Sequence, residues 1–417
     1  MFPTTRISKY IGGACYKRRL TRYLSTSNNA PESVHDGPRK GSRVVVGMSG
    51  GVDSSVTARL LAEKDYDLSA VYMRNWDTRD ETGTDKGCEW EKDWEDVQRV
   101  CRQLDIPHKL IDLSKEYWNN VFEPSLRLWE AGQTPNPDVM CNREVKFGAL
   151  VNCLSDLFQY EWFATGHYSG VEWTDRLSWS NQIRRRPKLV RALDKTKDQS
   201  YYLSSITETS LSKTIFPLHH LKKTQVRELA KKYDLPTANR EESMGICFVG
   251  EKRRFEDFLL QYLPPKPGSI IELRTGKILG THQGLWRYTI GQGAKLSGLK
   301  ERMFVAKKCS DKNELYLVPG SIAPELYFPN LVADLKWMYE DDEPPVGNEG
   351  YRARVQIRYR SEDVPCTIFK RQLFGRDRYV IQFDSPQHAV APGQVAAVYD
   401  TEGIWCIGSG VIESVQQ

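Results

Sequence analysis

Short apolar runs alternate with amphipathic stretches over the first half of the chain. An apolar run at residues 44–46 is followed by a helix-like stretch at 54–64, and further apolar runs lie at 68–73, 110–111 and 162–165. One more set of residues has the spacing of a single helical face: Trp94, Val97, Val100, Cys101 and Leu104. Strands that alternate with helices in this way predict an α/β fold with a doubly wound parallel sheet.

The pattern changes after residue 262. Residues 263–268 contain three prolines and a glycine, which end a helix and introduce short strands with glycine turns. Repeated alternating strands near the C-terminus predict a small β-barrel, and the polar, basic stretch at 172–188 predicts a surface hairpin or loop. We therefore predict a first domain at 41–252, a β-rich central domain at 253–330 and a C-terminal β-barrel at 331–417, with residues 214–235 packing on the central domain.

The first forty residues are basic and rich in serine and threonine, with Arg6, Lys9 and Lys17 among them and no acidic residue before Glu32. This composition predicts a mitochondrial transit peptide at residues 1–40 and a location in the mitochondrial matrix. A disordered basic tail that binds nucleic acid is the alternative. No apolar run reaches the roughly 20 residues of a membrane span, so we expect no membrane partner. The net charge of +5 permits an RNA partner without requiring one.

Nine cysteines without a Cys-x-x-Cys pair argue against a structural zinc site. Three of them lie in apolar patterns and are expected to be buried: Cys101, Cys366 and Cys406. Two others stand in unusual surroundings. Cys141 follows a loop stiffened by proline and has Asp138 three residues before it, where a carboxyl group can act as general acid or base. Cys247 follows Gly245, which allows a tight, accessible turn.

The loop at residues 49–55 reads Ser-Gly-Gly-Val-Asp-Ser-Ser and joins a predicted strand to a predicted helix. Its glycines let backbone amides approach an anion closely, and its hydroxyl groups lie at the amino end of the helix. This combination predicts a phosphate-binding loop. The Gly-Lys-Ser/Thr ending of a Walker A loop is missing, which argues against kinases and motor proteins and leaves no loop lysine to hold terminal phosphates.

The loop resembles the PP-loop of ATP pyrophosphatases, which adenylate a substrate oxygen and release pyrophosphate. Further motifs, from about Arg43 to the C-terminus, are similar to those of the tRNA-specific 2-thiouridylases. They are Gly47-Met48, 73–76 (Met-Arg-Asn-Trp), 134–142 (Thr-Pro-Asn-Pro-Asp-Val-Met-Cys-Asn), 164–168 (Ala-Thr-Gly-His-Tyr), 197–201 (Lys-Asp-Gln-Ser-Tyr) and 243–248 (Ser-Met-Gly-Ile-Cys-Phe). The resemblance implies an adenine nucleotide alpha hydrolase-like domain, and the leader points to the mitochondrial members of the family.

The resemblance also implies an activity. An enzyme of this family adenylates the 2-oxygen of the wobble uridine in tRNA with ATP and Mg²⁺ and replaces that oxygen with sulfur. Here the implied substrates are mitochondrial tRNAs for Lys, Glu and Gln, and the implied sulfur source is a persulfide relay protein. By resemblance Cys247 carries the persulfide, and Cys141 is the nucleophile that ends in a transient disulfide with Cys247.

The loop and the resemblance together assign the candidate site residues. ATP binding is assigned to Gly47, Met48, Ser49, Gly50, Gly51, Val52, Asp53, Ser54, Met73 and Gly166, with Asp53 expected to help hold Mg²⁺ because a hard cation prefers oxygen ligands. The target base is assigned to Asn136, Pro137 and Asp138. Contacts with tRNA are assigned to His167, Lys197, Asp198, Gln199, Arg358, Tyr359 and Gln394. Arg143 and Lys146, which follow Cys141, are candidates to hold the anticodon backbone.

A basic run adds a signal for RNA. Residues 351–360 alternate apolar with polar positions, so a strand through them places Arg352, Arg354, Arg358 and Arg360 on one face. Four cations without an interleaved acid favour an anionic partner such as RNA over a merely solvated face.

Three other interpretations remain open. The first is an iron–sulfur cluster ligated by Asp138, Cys141 and Cys247, which would leave one iron site open. No cysteine-rich ligand run supports such a cluster. The chain would otherwise be a PP-loop ligase with another nucleophile, which needs neither thiol. A non-catalytic tRNA-binding protein that keeps the loop as a nucleotide sensor is the third.

Overall fold

The computed structural model describes residues 36–76, 89–175, 179, 184–241, 255–373 and 375–416. The predicted leader up to residue 35 and the motif with Cys247 lie outside the described residues. Among the helices that the structure describes, none combines the length and the apolar character needed to cross a bilayer.

The first domain is built of strands and helices in alternation. Its strands are β1 (Arg43–Met48), β2 (Asp67–Arg74), β3 (His108–Asp112), β4 (Trp162–Thr165), β5 (Ser169–Thr174), β6 (Arg186–Arg191) and β7 (Thr214–Ile215). Its helices are α1 (Val52–Ala62), α2 (Glu89–Leu104), α3 (Ser114–Tyr117), α4 (Glu123–Glu130), α5 (Pro137–Met140), α6 (Val151–Phe158), α7 (Ser200–Leu203), α8 (Glu208–Leu211) and α9 (Lys223–Lys232). Two segments are π-helical, Trp118–Phe122 and Cys141–Leu150.

The main sheet of this domain has the order β3-β2-β1-β4-β7, and all its neighbouring strands are parallel. Val44 and Val46 pack with Val97 of α2 on one face, whereas Val45 packs with Phe147 of the second π-helical segment on the other. Helices therefore cover both faces, which explains why β1 is an uninterrupted apolar run. The predicted doubly wound parallel sheet is confirmed.

Residues 214–235 belong to this first domain. β7 is the edge strand of the main sheet, and Val226 and Ala230 of α9 pack with Val52 and Val56 of α1. Its apolar face is buried against the helix that follows the phosphate-binding loop, and the expectation that the segment packs on the central domain stays a prediction.

The central domain is rich in β-structure. It contains α10 (Phe255–Leu259), β8 (Gly268–Glu272), β9 (Ile278–His282), β10 (Gly293–Ala294), β11 (Met303–Cys309) and β12 (Glu314–Pro319), with 3₁₀ turns at Leu285–Arg287 and Pro324–Leu326. The strand order is β10-β11-β12-β8-β9, in which β12 and β8 are parallel. Ile270, Val305, Leu315 and Leu317 are buried in its core.

The C-terminal strands form a closed barrel. They are β13 (Tyr327–Trp337), β14 (Tyr351–Gln356), β15 (Val364–Leu373), β16 (Arg376–His388), β17 (Val395–Tyr399) and β18 (Trp405–Gln416). The order is β13-β16-β15-β14-β17-β18, and β13 also pairs with β18, so the ring closes. The predicted barrel is confirmed.

The polar stretch at 172–188 lies within a hairpin that links the domains. β5 pairs with β6, and β6 in turn pairs with β18 of the barrel, with Leu189 opposite Cys406 and Val190 opposite Trp405. The hairpin therefore extends the sheet of the barrel. The predicted hairpin is present, but its pairing with β18 was not predicted. Pairing between strands more than 200 residues apart leaves no local pattern.

Three cysteines are inert as predicted. Cys101 lies on the buried face of α2, Cys366 on β15 and Cys406 on β18. Burial raises the pKa of each of these thiols to about 12. None of them is a thiolate at neutral pH, so none is a reactive nucleophile.

Candidate active site and RNA-facing surface

The phosphate-binding loop lies between the end of β1 and the start of α1. Gly50 has φ +75°, and a Cβ atom there would lie 2.7 Å from the carbonyl oxygen of Asp93. The amide of Ser49 donates to Ser54 Oγ at 3.1 Å, and that hydroxyl donates to the carbonyl of Gly51 at 3.1 Å. The loop thus folds tightly over the amino end of an eleven-residue helix, where an anion is stabilised.

Gly166, directly after β4, touches this loop. A Cβ atom on Gly166 would lie 2.9 Å from the amide nitrogen of Ser54 and 3.0 Å from the carbonyl carbon of Asp53. Only glycine permits this approach without a shift of backbone. The two predicted segments therefore meet at the carboxyl edge of the sheet, as expected for the ligand crevice of such folds. Met73 lies near the same edge, in β2, and packs against the main core.

Asp53 in the loop is bound by two groups that sequence reasoning missed. Lys223 Nζ donates to both carboxylate oxygens at 2.7 Å, and the hydroxyl of Tyr168 donates to one of them at 2.9 Å. Lys223 begins α9 and lies far from the loop in sequence, so no local pattern connects them. The loop itself has no lysine, but α9 supplies one to it.

The carboxylate of Asp53 is paired with an ammonium group in this arrangement, and its expected contact with Mg²⁺ stays a prediction. Among the described residues, no group of three or more His, Cys, Asp or Glu side chains is placed to hold a metal ion.

Arg240 is a second cation at the loop. Its Nη1 donates to the carbonyl of Gly50 at 3.0 Å, and its guanidinium forms ion pairs with Asp93 and Asp96 of α2. These pairs tie the loop to the helix that packs beside it. No local pattern pointed to Arg240, because its partners lie more than 140 residues away.

The predicted target-base loop leads directly into Cys141. Asn136 caps α5, with its side-chain oxygen accepting from the amide of Val139 at 3.3 Å, and Pro137 occupies the first turn. Cys141 is 8% exposed. Its sulfur lies 3.8 Å from the side-chain amide of Asn75, a residue of the 73–76 motif to which no role was assigned.

Asp138 and His167 share a neighbour in Lys146. Burial raises the pKa of Asp138, while the positive charge of Lys146 opposes that rise. Burial, and then the charge of Lys146, hold the pKa of His167 well below its usual value. The neutral ring accepts from Lys146 Nζ at Nε2 (3.3 Å), so Nδ1 carries the proton and donates to Thr165 Oγ1 at 2.8 Å.

Lys146 turns inward because of the local helix geometry. It follows Cys141 by five residues within a π-helical segment, whose i→i+5 hydrogen bonds bring residues five apart to one side of the helix. In an ordinary α-helix, Cys141 and Lys146 would lie on different sides. Arg143, by contrast, is exposed and pairs with Glu144.

Several residues predicted to contact tRNA form hydrogen bonds within the protein around the site. Asp198 is buried and accepts from Arg191 and from the hydroxyl of Ser200, each at 2.7 Å. Gln199 accepts from the amide of Tyr168 at 3.0 Å, next to His167. Lys197 lies in the turn before them and is half-buried.

Gln394 binds the target-base loop itself. Its side-chain amide donates to the carbonyl of Thr134 at 2.9 Å, and the amide of Thr134 donates to the carbonyl of Pro392 at 2.9 Å. The barrel therefore holds the loop that carries Asn136 to Asp138. Whether Gln394 also touches RNA stays a prediction.

The arginine run is only partly what the alternation predicted. β14 ends at Gln356, so a strand through residue 360 is wrong. Arg352 pairs with Asp384 at 2.7 Å, and Arg354 pairs with Asp363. Acids from elsewhere in the barrel neutralise these two cations, which removes the argument that an anion must lie over all four.

Tyr359 lies close to the target-base loop. Its ring centroid is 4.2 Å from that of Tyr202, and the neighbouring Arg358 is exposed. Burial raises the pKa of Tyr202, and the charge of Asp138 adds to that rise. Tyr359 and Tyr202 are therefore near the residues assigned to the target base. Cys247 lies outside the described residues, so its pairing with Cys141 and an iron–sulfur cluster are not tested.

Family models match three consecutive parts of the chain. The tRNA methyl transferase HUP domain matches residues 42–251, the tRNA methyl transferase PRC-barrel domain matches 256–319, and the aminomethyltransferase beta-barrel domain matches 330–412. The first of these covers the phosphate-binding loop, Cys141 and Cys247.

Curated relatives match almost the whole chain. A tRNA-specific 2-thiouridylase MnmA of Alkaliphilus oremlandii is 41% identical over 381 residues, which cover 90% of this chain and 98% of that protein. The protein of the same name from Vibrio cholerae is 40% identical over 388 residues, covering 91% and 99%. That of Bacillus subtilis is 41% identical over 376 residues, covering 89% and 95%. The chain is thus an enzyme that belongs to the tRNA-specific 2-thiouridylase family.

Proposed function

We propose that this enzyme adenylates the 2-oxygen of the wobble uridine in tRNA and replaces that oxygen with sulfur from a cysteine persulfide. The products are 2-thiouridine, AMP and pyrophosphate. The contact that carries the proposal runs through two adjacent residues. Gly166 touches the phosphate-binding loop, and His167 touches Lys146 in the segment that begins with Cys141. These two contacts support an ATP site and a thiol that act in one crevice.

The first half of the reaction activates the uridine. The amides of the loop and the amino end of α1 bind the phosphates, and Gly166 leaves room for the nucleotide. The target base must leave its stack to reach this crevice. Asn136, Pro137 and Asp138 line its pocket, and Asp138, whose pKa is raised by burial, serves as the acid or base beside it. Attack of the 2-oxygen on ATP forms the adenylate and expels pyrophosphate.

The second half transfers sulfur. The terminal sulfur of a Cys247 persulfide attacks C2 of the uridine, and AMP leaves with the former 2-oxygen. The thiolate of Cys141 then attacks the inner sulfur of Cys247. The electrons of the broken S–S bond form the thiocarbonyl, and Cys141 and Cys247 end as a disulfide that a cellular thiol reduces.

The leader composition supports a finer proposal on location and substrates. An acid-poor, basic leader is typical of proteins imported into the mitochondrial matrix. We therefore extend the proposal to the mitochondrial matrix and its tRNAs, and the family resemblance adds the tRNAs for Lys, Glu and Gln and a persulfide relay protein as sulfur donor.

Cysteine variants test the division into two halves. Cys141→Ser and Cys247→Ser should each abolish 2-thiouridine while ATP–pyrophosphate exchange with tRNA persists. Cys309→Ser, which changes a thiol at the end of β11, is the matched control and should leave both reactions intact. If Cys141→Ser kept full activity, a PP-loop ligase with another nucleophile would be the better account. A wild-type protein that never releases AMP would be a non-catalytic tRNA binder, and iron in anaerobically purified protein would favour a cluster.

A further inference from the structure

Trp118 is a large apolar side chain that the proposed reaction does not use. It is 40% exposed. Its ring stacks on Trp76 with centroids 5.8 Å apart and planes 17° apart, and Tyr262 packs edge-on against it at 6.0 Å. Phe122, which is fully buried, contacts both indoles at 4.8 Å and 5.1 Å. The rings of Trp76, Trp118 and Tyr262, here called the aromatic platform, are therefore held in place from below.

The aromatic platform is joined through the chain to a neighbour of Cys141. Trp76 directly follows Asn75, whose amide nitrogen is 3.8 Å from Cys141 Sγ. The exposed amides of Asn119 and Asn120 follow Trp118 in the chain, and the exposed Lys115 precedes it by three residues. An aromatic face with neutral donors and a lysine nearby suits a base with its phosphate better than an apolar protein surface.

We propose that the aromatic platform stacks an unpaired tRNA base next to the target uridine. The inference rests on the proposed function and adds the contact that holds the flanking nucleotide. When the target base leaves its stack, the neighbouring base loses a stacking partner. An indole face replaces that partner and tolerates any base, because every base has a π-face.

Two variants of Trp118 test the platform. Trp118→Ala should raise the KM for tRNA about tenfold, with kcat and the KM for ATP unchanged. Trp118→Phe keeps a ring and should stay near the wild-type value. Leu157→Ala removes another exposed apolar side chain, at the end of α6, and should change nothing.

Substrates with one abasic nucleotide identify the base. Removing the base that the aromatic platform stacks should raise the KM of the wild-type enzyme for tRNA. The same abasic substrate should raise the KM of the Trp118→Ala enzyme little further. Fully additive effects, or a wild-type KM for Trp118→Ala, would overturn the proposal. A variant that loses only the rate supported by a persulfide donor protein would mark a protein-binding face instead. If the wild-type enzyme made no 2-thiouridine at all, the proposed function itself would be wrong.

Discussion

Lys146 interacts with two titratable groups of the candidate site, Asp138 and His167. The ammonium of Lys146 lowers the pKa of both groups. For Asp138 it opposes burial, the larger effect, which raises the pKa. For His167 it adds to burial, the larger effect, which also lowers the pKa. Losing the ammonium would therefore raise both pKa values. If Asp138 works as its carboxylate, the acidic side of the pH–rate profile depends on Lys146.

We expect Lys146→Met to shift the acidic limb of kcat to higher pH, because the carboxylate loses a stabilising cation. Lys146→Arg keeps the charge and should restore most of the wild-type profile. Arg143→Met removes a cation from the same segment that is exposed and paired with Glu144, so it should leave the limb in place. An unshifted limb in Lys146→Met would show that Asp138 does not act as this base.

Lys223 places a positive charge at a loop that contains none of its own. Its ammonium contacts both oxygens of Asp53 at 2.7 Å. Charge-assisted hydrogen bonds of this kind contribute about 1.5–3 kcal/mol. Lys223→Met leaves the carboxylate of Asp53 without its cation at the loop that binds the phosphates, so the Kd for ATP should rise roughly tenfold or more while the Kd for tRNA stays unchanged.

Titration calorimetry with ATP and, separately, with tRNA measures this prediction. Lys232→Met, at the other end of α9, is the matched control. An equal loss of affinity for both ligands would indicate general disruption of the fold instead of a role at the phosphates.

At the scale of elements, the site depends on the close approach of the β4 end to the phosphate-binding loop. A methyl group at Gly166 would overlap the amide of Ser54 at 2.9 Å, so Gly166→Ala must displace backbone. Overpacking of this kind costs about 1–3 kcal/mol. We expect a lower free energy of unfolding and weaker binding of ATP.

Urea unfolding with and without ATP measures both effects. Gly280→Ala in β9 is the matched control, since a Cβ atom there meets nothing within 4 Å. Unchanged stability and ATP affinity in Gly166→Ala would contradict the packing described for this edge.

The elements themselves were largely predictable. Four strands of the main sheet, β1 to β4, follow from apolar runs and α2 from one helical face, because burial imposes these periods on the sequence, whereas the two-residue edge strand β7 has no such run. The prediction drawn from the arginine run was wrong in part. Its neutralising partners lie outside the run: Asp363 directly precedes β15 and pairs with Arg354, and Asp384 on β16 pairs with Arg352.

At the scale of the whole molecule, the three predicted domains are joined by contacts that no local pattern reveals. The β5–β6 hairpin extends the sheet of the barrel, and Gln394 holds the target-base loop at Thr134. The same reason explains why Lys223, Arg240 and Asn75 were missed: each reaches its site partner across at least 65 residues of chain. The motifs located the crevice, whereas long-range packing supplies its supporting cations.

The central claim is that one crevice couples adenylation of tRNA to transfer of sulfur. The most direct test incubates the purified chain with ATP, unmodified tRNA and a persulfide donor, and quantifies nucleosides by mass spectrometry beside released AMP. We expect one 2-thiouridine for each AMP, at the wobble position, and none when ATP is left out. AMP release without any 2-thiouridine, or 2-thiouridine formed without ATP, would contradict it.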